Sequence, residues 1–507
     1  MGKLPLARAL AACTAAMAAL ALGPAGAHSA TPPLLGAATH PLWSSSTASD
    51  SAAELDRLVE AGANSVRIDI SWSTLEEQGQ GDLSEWYVDK ADTFFAQARA
   101  RGLRVIATFW STPCWASAAP ESLKEGCTGD WWTRGVERYP PVDPADFAWA
   151  AAWVADRWEE DLAAIEIWNE PNCTCWFTPR SEATRVAEYA AMLRPAYTEV
   201  KAVAPSVEVL GPALLLSHGE FLDALYAQGV RGYMDGVSVR PFSQWRDPTD
   251  ETVPEAGRMF SLIHGVEWLR EIMAAHGDSA KPMWFTEIGW SSCTPGAHQW
   301  CVTEDVQARY TGAALRLVRD RWDFVRGVAV YSLRNKGDDL DNREEQMGLL
   351  RRDFTPKPAF WAFKDALSDL AANPFSKPLP AVAAERGVPA PPAGTSVGTT
   401  LDLAPELGRL VLRRAVVRRG GRPVFVRFSL SEPAVVTLRF ERAHGGRWVA
   451  VRGALRHPGK VGVNRLRLSG RLRGRLLPAG RYRLSAVARD AAGNASVVRR
   501  ARLRVVR

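Results

Sequence analysis

Two stretches of this chain close an apolar, strand-like run on a glutamate. In IEIWNEPN, residues 165–172, Glu170 stands between Asn169 and Pro171, and in MWFTEIGW, residues 283–290, Glu287 holds the matching place. A carboxylate is costly to take out of water, so each position needs a reason. A neutral carboxylic acid and an ionised carboxylate facing one gap can give a proton to one atom while stabilising positive charge on its neighbour. That chemistry needs two groups, distant along the chain, to meet at one rim with different proton affinities. A Glu-Pro turn opening a helix, with the carboxylate near the helix N-terminus, would account for Glu170 alone but not for the second glutamate.

The elements that must position this pair show as alternation. Apolar runs at 34–40, 65–71, 103–110, 164–169, 207–211, 235–240, 283–287 and 327–333 read as strands. Between them lie helical stretches such as SAAELDRLVEAG, WYVDKADTFFAQARARG, DFAWAAAWVADRW, EATRVAEYAAMLRPAYTEVKAV and EDVQARYTGAALRLVRDRW, with apolar residues three and four apart. Several end in Gly before the next strand, as a helix stop should. Eight βα units need about 250 residues, and 34–371 supplies them with room for loops, which predicts an α/β fold: a (β/α)8 TIM barrel. A doubly wound open sheet is the alternative, but no glycine-rich phosphate turn follows the first strand. In a barrel the C-terminal strand ends share one face. Glu170 closes the fourth strand and Glu287 the seventh, so the two face each other across the barrel mouth.

With these motifs in place, residues 34–365 resemble the (β/α)8 glycoside hydrolases of clan A, which include families 5 and 39. The Asn169-Glu170-Pro171 element is the sharpest part of the likeness. The resemblance implies an O-glycoside hydrolase acting on carbohydrate, with Glu170 as acid/base and Glu287 as nucleophile. It further implies carboxyls about 5 Å apart and retained stereochemistry, whereas a separation nearer 8 Å would indicate inversion. Asn169 matches the asparagine that binds the sugar 2-hydroxyl, and Arg67 an arginine beneath the nucleophile; pairing with Asp69 is the plainer reading of Arg67. His40, closing the first strand, is a further candidate.

Three positions depart from the pattern. Arg240-Pro241-Phe242 replaces His-Pro-Tyr, so the usual phenol on the nucleophile is lost. The tryptophan that floors the sugar site falls on Val330, with Tyr331 beside it, and a following aspartate is Asn335. Arg240 either faces the cleft, where it would favour an acidic sugar, or pairs with a loop carboxylate such as Asp235 or Asp247. Of the 20 tryptophans, Trp110 and Trp290, with Trp115, Trp131, Trp132, Trp176, Trp245 and Trp300, fall in loops of the active face. There they suit stacking on pyranose rings or packing of the loops themselves.

The rest of the chain frames this barrel. Residues 1–27 carry Lys3 and Arg8, a short apolar core and Ala25-Gly26-Ala27, which predicts a cleaved export signal and a secreted or cell-envelope protein with no transmembrane segment. Six cysteines remain after it, an even number that suits disulfides in an exported protein. Proximity favours Cys114 with Cys127 and Cys293 with Cys301, leaving Cys173 with Cys175. No CxxC pair or histidine at ligand spacing calls for a metal, GDDLDN at 337–342 reads as a solvated turn, and no cofactor is implied. Residues 372–400, rich in Pro, Ala and Gly, read as a linker. From 401 to 507 there are 26 Lys and Arg against 5 Asp and Glu, a net of +21 that leaves −15 for the first 400 residues. Period-two runs such as PVFVRFSL and GRYRLSAVARD predict an all-β immunoglobulin-like sandwich with outward arginines, loosely similar to modules appended to bacterial exported enzymes. Its field suits an anionic cell-envelope polymer; no motif points to specific nucleic acid, and a monomer is expected. The opposing reading of the whole chain is a barrel that has lost catalysis and only binds carbohydrate.

Overall fold

The computed structural model describes residues 33–372 and, apart from short stretches, 407–506. The predicted export signal at 1–27 and the predicted linker beyond residue 372 lie outside the described residues.

Eight parallel strands close into a barrel in chain order: β1 Leu34–Ala38, β2 Ser65–Ser71, β3 Arg104–Trp110, β4 Leu162–Ile167, β5 Glu208–Leu215, β6 Gly236–Arg240, β7 Met283–Ile288 and β8 Val325–Val330. Closure is made by β8 on β1, with Leu34 opposite Gly327 and Ala37 opposite Val330. All eight predicted strands are present, within a few residues at each end. Their β-branched residues are buried on both faces because helices cover the outside of a parallel ring. Helices Ala48–Glu60, Glu85–Ala100, Pro144–Arg157, Arg185–Val203 and Glu304–Arg321 match the periodic stretches, and Gly219–Ala227, Leu262–Ala275 and Pro358–Ala372 complete the outer layer. The last helix runs to Ala372, one residue into the predicted linker.

The barrel floor is apolar. Ile106, Ala164, Leu210 and Trp284 form a small buried cluster inside the ring. Trp284 fits there because β8 offers Gly327: a Cβ at that position would lie 2.4 Å from the indole. Above this plug the interior turns polar, as the next subsection describes.

The C-terminal region is a two-sheet sandwich. One sheet joins β10 Val416–Arg418, β18 Arg499–Val506, β17 Gly480–Arg489, β12 Ala434–His444 and β13 Arg447–Gly459; the other joins β14 Gly462–Leu468, β11 Val424–Leu430 and β9 Val411–Leu412. A hairpin of β15 Arg471–Leu472 and β16 Arg475–Leu476 stands apart. The period-two pattern appears directly in β17, where Tyr482, Leu484, Ala486 and Ala488 are buried. Pairing is antiparallel except that β10 runs parallel to β18. Arg427 leaves this sandwich to meet the buried Asp156 at 3.0 Å and the Val203 carbonyl at 2.7 Å, both on barrel helices. Among the described residues no helix is long and apolar enough to cross a membrane.

Candidate active site

Glu170 is placed by a turn that several groups hold. β4 ends at Ile167, whose carbonyl accepts from Tyr189 Oη at 2.9 Å. Asn172 then exchanges two 2.9 Å hydrogen bonds with the backbone of Leu215, extending the β4–β5 edge through a side chain. Arg185, at the start of its helix, donates to the Pro171 and Phe177 carbonyls. Within this frame Trp168 and Glu170 take positive φ, 70° and 44°. Non-glycine residues are uncommon there, and such strain persists where surrounding contacts over-determine the backbone. Glu287 sits inside β7. Two residues on, a Cβ at Gly289 would lie 2.3 Å from the Tyr331 carbonyl oxygen, so glycine lets the chain just after β8 pass close and sets Tyr331 on the Glu287 side.

The two glutamates meet on one guanidinium. Arg240, fully buried at the end of β6, places Nη1 3.1 Å from Glu170 and Nε 3.2 Å from Glu287. Its Nη2 is 3.2 Å from Glu166, a third buried carboxylate that also accepts from Thr108 at 2.6 Å and Thr286 at 2.7 Å. Arg67 reaches Glu287 at 3.0 Å and Asp69 at 2.9 Å, and His40 Nδ1 is 3.5 Å from the same Asp69 oxygen. The polar interior is thus a lattice of four carboxyls and two guanidiniums standing on the apolar plug.

That lattice makes the two glutamates unequal. Burial raises the proton affinity of both carboxyls, and the guanidiniums oppose it. Glu287 has two arginines in contact and Glu170 one, yet burial still pushes the Glu287 carboxyl up to about 7. Burial likewise disfavours an ionised Asp69, but Arg67 and His40 outweigh it and hold that carboxyl below its usual range. His40 is pushed down by burial and stays neutral at pH 7.

A cavity of about 1000 Å³ opens over the pair. Asn169, Arg67, His40, Trp110, Trp290 and Tyr331 all line it. Of the other loop tryptophans, Trp176 and Trp300 line it too, while Trp115 donates to the Glu76 carbonyl and Trp131 packs into a separate loop cluster. Two expectations from the sequence need correction. Arg240 does face the cleft, but its guanidinium is spent on Glu166, Glu170 and Glu287, so it is neither open to an acidic sugar nor paired with Asp235 or Asp247; Asp235 pairs with Lys201 at 2.9 Å. Val330 is buried in the core, and Tyr331 takes the cavity position instead. Asn335 points away into the loop network, bonding Gln346 and Lys357. Glu166, Trp43, Trp86 and Lys336 were not singled out from the sequence, and Asp69 only as a partner of Arg67. A signal existed for Glu166, an acid in the middle of a strand with buried neighbours.

Three disulfides brace the rim: Cys114–Cys127 after β3, Cys173–Cys175 after β4 and Cys293–Cys301 after β7, the pairing that proximity favoured. Glu170, Cys173 and Cys175 cluster tightly, but both sulfurs are bound to each other and offer no thiolate.

Comparison with known proteins agrees with this geometry. Residues 26–210 match the family model for cellulase (glycosyl hydrolase family 5). A family 39 glycoside hydrolase from the gut symbiont Bacteroides cellulosilyticus WH2 superposes with a TM-score of 0.53 at 19% identity, over 86% of this chain and 81% of its own. GH5_18 from Streptomyces cattleya, solved in complex with GlcNAc, gives 0.50 at 19% identity, over 68% of this chain and 82% of its own. By sequence, no curated protein matches significantly. At that identity the two structures speak for the fold. The family match covers residues 26–210 alone, so together they show a TIM barrel similar to those of clan A glycoside hydrolases, the likeness the sequence carried.

Proposed function

We propose that this protein is an exported, retaining O-glycosidase acting on oligo- or polysaccharide, with Glu170 as acid/base and Glu287 as nucleophile. The observation that carries the proposal is that both glutamates, from β4 and β7, touch one buried guanidinium on the floor of a large cavity. In the first half-reaction Glu170 protonates the departing glycosidic oxygen while Glu287 attacks the anomeric carbon. In the second, Glu170 takes a proton from water, which attacks the same carbon and releases Glu287. Asn169, beside Glu170 on the cavity wall, supplies the contact to the 2-hydroxyl, which strengthens as the sugar flattens. The basic sandwich holds the enzyme to an anionic cell-envelope polymer.

The test is a panel of 2-deoxy-2-fluoro glycosides, followed by peptide mass mapping, with product stereochemistry read by NMR on natural glycosides. The expected result is an adduct on Glu287 and retention. Inverted product would refute double displacement. No adduct across the panel, with no hydrolysis lost in Glu170→Gln, would favour a barrel that only binds carbohydrate.

A further inference from the structure

The charges lining the cavity are paired with one exception. Arg67 pairs with Asp69 and Glu287, Arg240 with Glu170 and Glu287, and Arg343 with its neighbour Glu344. Lys336 also lines the cavity, yet among the described residues it forms no ion pair with a carboxylate. Its ammonium donates to Tyr331 Oη and lies 4.8 Å from the Tyr331 ring centre and 5.6 Å from that of Trp43. Trp43 is 44% exposed and stacked on His40 at 4.2 Å, so this corner joins an aromatic platform to a lone cation. A sugar ring placed on the platform would present its substituents to the ammonium.

From this corner we infer that the sugar bound on the nucleophile's side carries a negative charge, foremost the carboxylate of a uronic acid, which Lys336 neutralises. The inference rests on the glycosidase reading for the identity of that side: Tyr331 follows β8 and lies beside the Glu287 strand. A buried, charge-assisted hydrogen bond is stronger than a neutral one, and a site that holds an unpaired cation discriminates against a ligand lacking the anion. The chemistry is shared by a sulfate or phosphate ester on the same sugar position, and the assay separates these sources.

The experiment compares kcat/KM on matched aryl glycosides: each uronide against the neutral sugar of the same configuration, with the 6-sulfate and 6-phosphate forms as further arms. The expected result is a preference for one anionic form of about tenfold or more, which falls by a similar factor in Lys336→Met and returns in part in Lys336→Arg. The arm with the highest ratio identifies the anion. A lysine that merely positions Tyr331 would alter charged and neutral substrates alike, and an unchanged ratio overturns the inference. So does turnover of neutral sugars with no anionic preference, which leaves the glycosidase reading intact. If no glycoside is cleaved, tryptophan fluorescence titration of Glu170→Gln with oligouronides and neutral oligosaccharides decides. Uronide-selective binding lost on Lys336→Met upholds the inference while the catalytic reading falls, and unselective or absent binding overturns both.

Discussion

Replacing Arg240 by methionine removes the one group that touches both glutamates. The contacts are 3.1 Å to Glu170 and 3.2 Å to Glu287, with Glu166 at 3.2 Å as a third partner. Unit charges at that range in an effective dielectric of about 20 interact by about 5 kcal/mol. Spreading of charge over both groups reduces the expected displacement of each carboxyl to about one to three pH units. The sign is fixed: removing a cation disfavours the ionised form, so both carboxyls bind their protons more tightly and both limbs of the bell-shaped profile move to higher pH. On the acidic limb, activity falls about tenfold for each pH unit of that displacement, so kcat/KM below neutrality is expected to drop by about 10- to 1000-fold. The measurement is kcat/KM from pH 4 to 10, with near-UV circular dichroism confirming that the variant is folded, since orphaning the buried Glu166 also costs stability. A profile whose limbs stay in place while only its height changes would refute the claim that Arg240 sets the charge of the pair.

Lys357 is buried and donates to Ser292 Oγ, Asn335 Oδ1 and the Gln346 carbonyl, tying the loop after β7 to the loop after β8, and burial pushes its ammonium down to about 7. Above that pH the native chain has released a proton that the unfolded chain still holds, so the melting temperature of the parent relative to Lys357→Met is expected to rise by about 2 °C per pH unit between pH 7 and 9.5; a difference that does not change with pH counts against it. The net +21 of residues 401–507 is expected to retain the whole protein on an anionic polysaccharide resin at low ionic strength and to release it by about 0.5 M salt, where screening is strong; retention insensitive to salt would show that charge is not the cause.

The fold was legible because both domains obey strict periods: β-branched runs and amphipathic helices in the barrel, period two in the sandwich. Glu170 and Glu287 were legible because an acid closing an apolar strand carries a desolvation cost that a role at the barrel mouth offsets. Arg67 was pointed out by the family resemblance, and both of its readings hold at once, since it touches Asp69 and Glu287 together. Arg240 was noticed as a departure, but its partners were sought in nearby loops. They came from β4 and β7, and neighbours across a closed barrel are set by register, which local sequence does not encode. Trp43 and Lys336 were missed for a related reason: they stand in loops, where side-chain direction depends on the packing of several segments rather than on a period.

The three disulfides lie in the loops after β3, β4 and β7, while the residues that close the barrel need no cross-link. Covalent bracing is therefore concentrated at the mouth, above a ring that hydrophobic packing already secures. A preparation made under reducing conditions would keep its circular dichroism and much of its melting behaviour while the approach to Glu170 loosened. Inactivity of such material says nothing about the protein made where thiols are oxidised, and the host compartment becomes part of the assay.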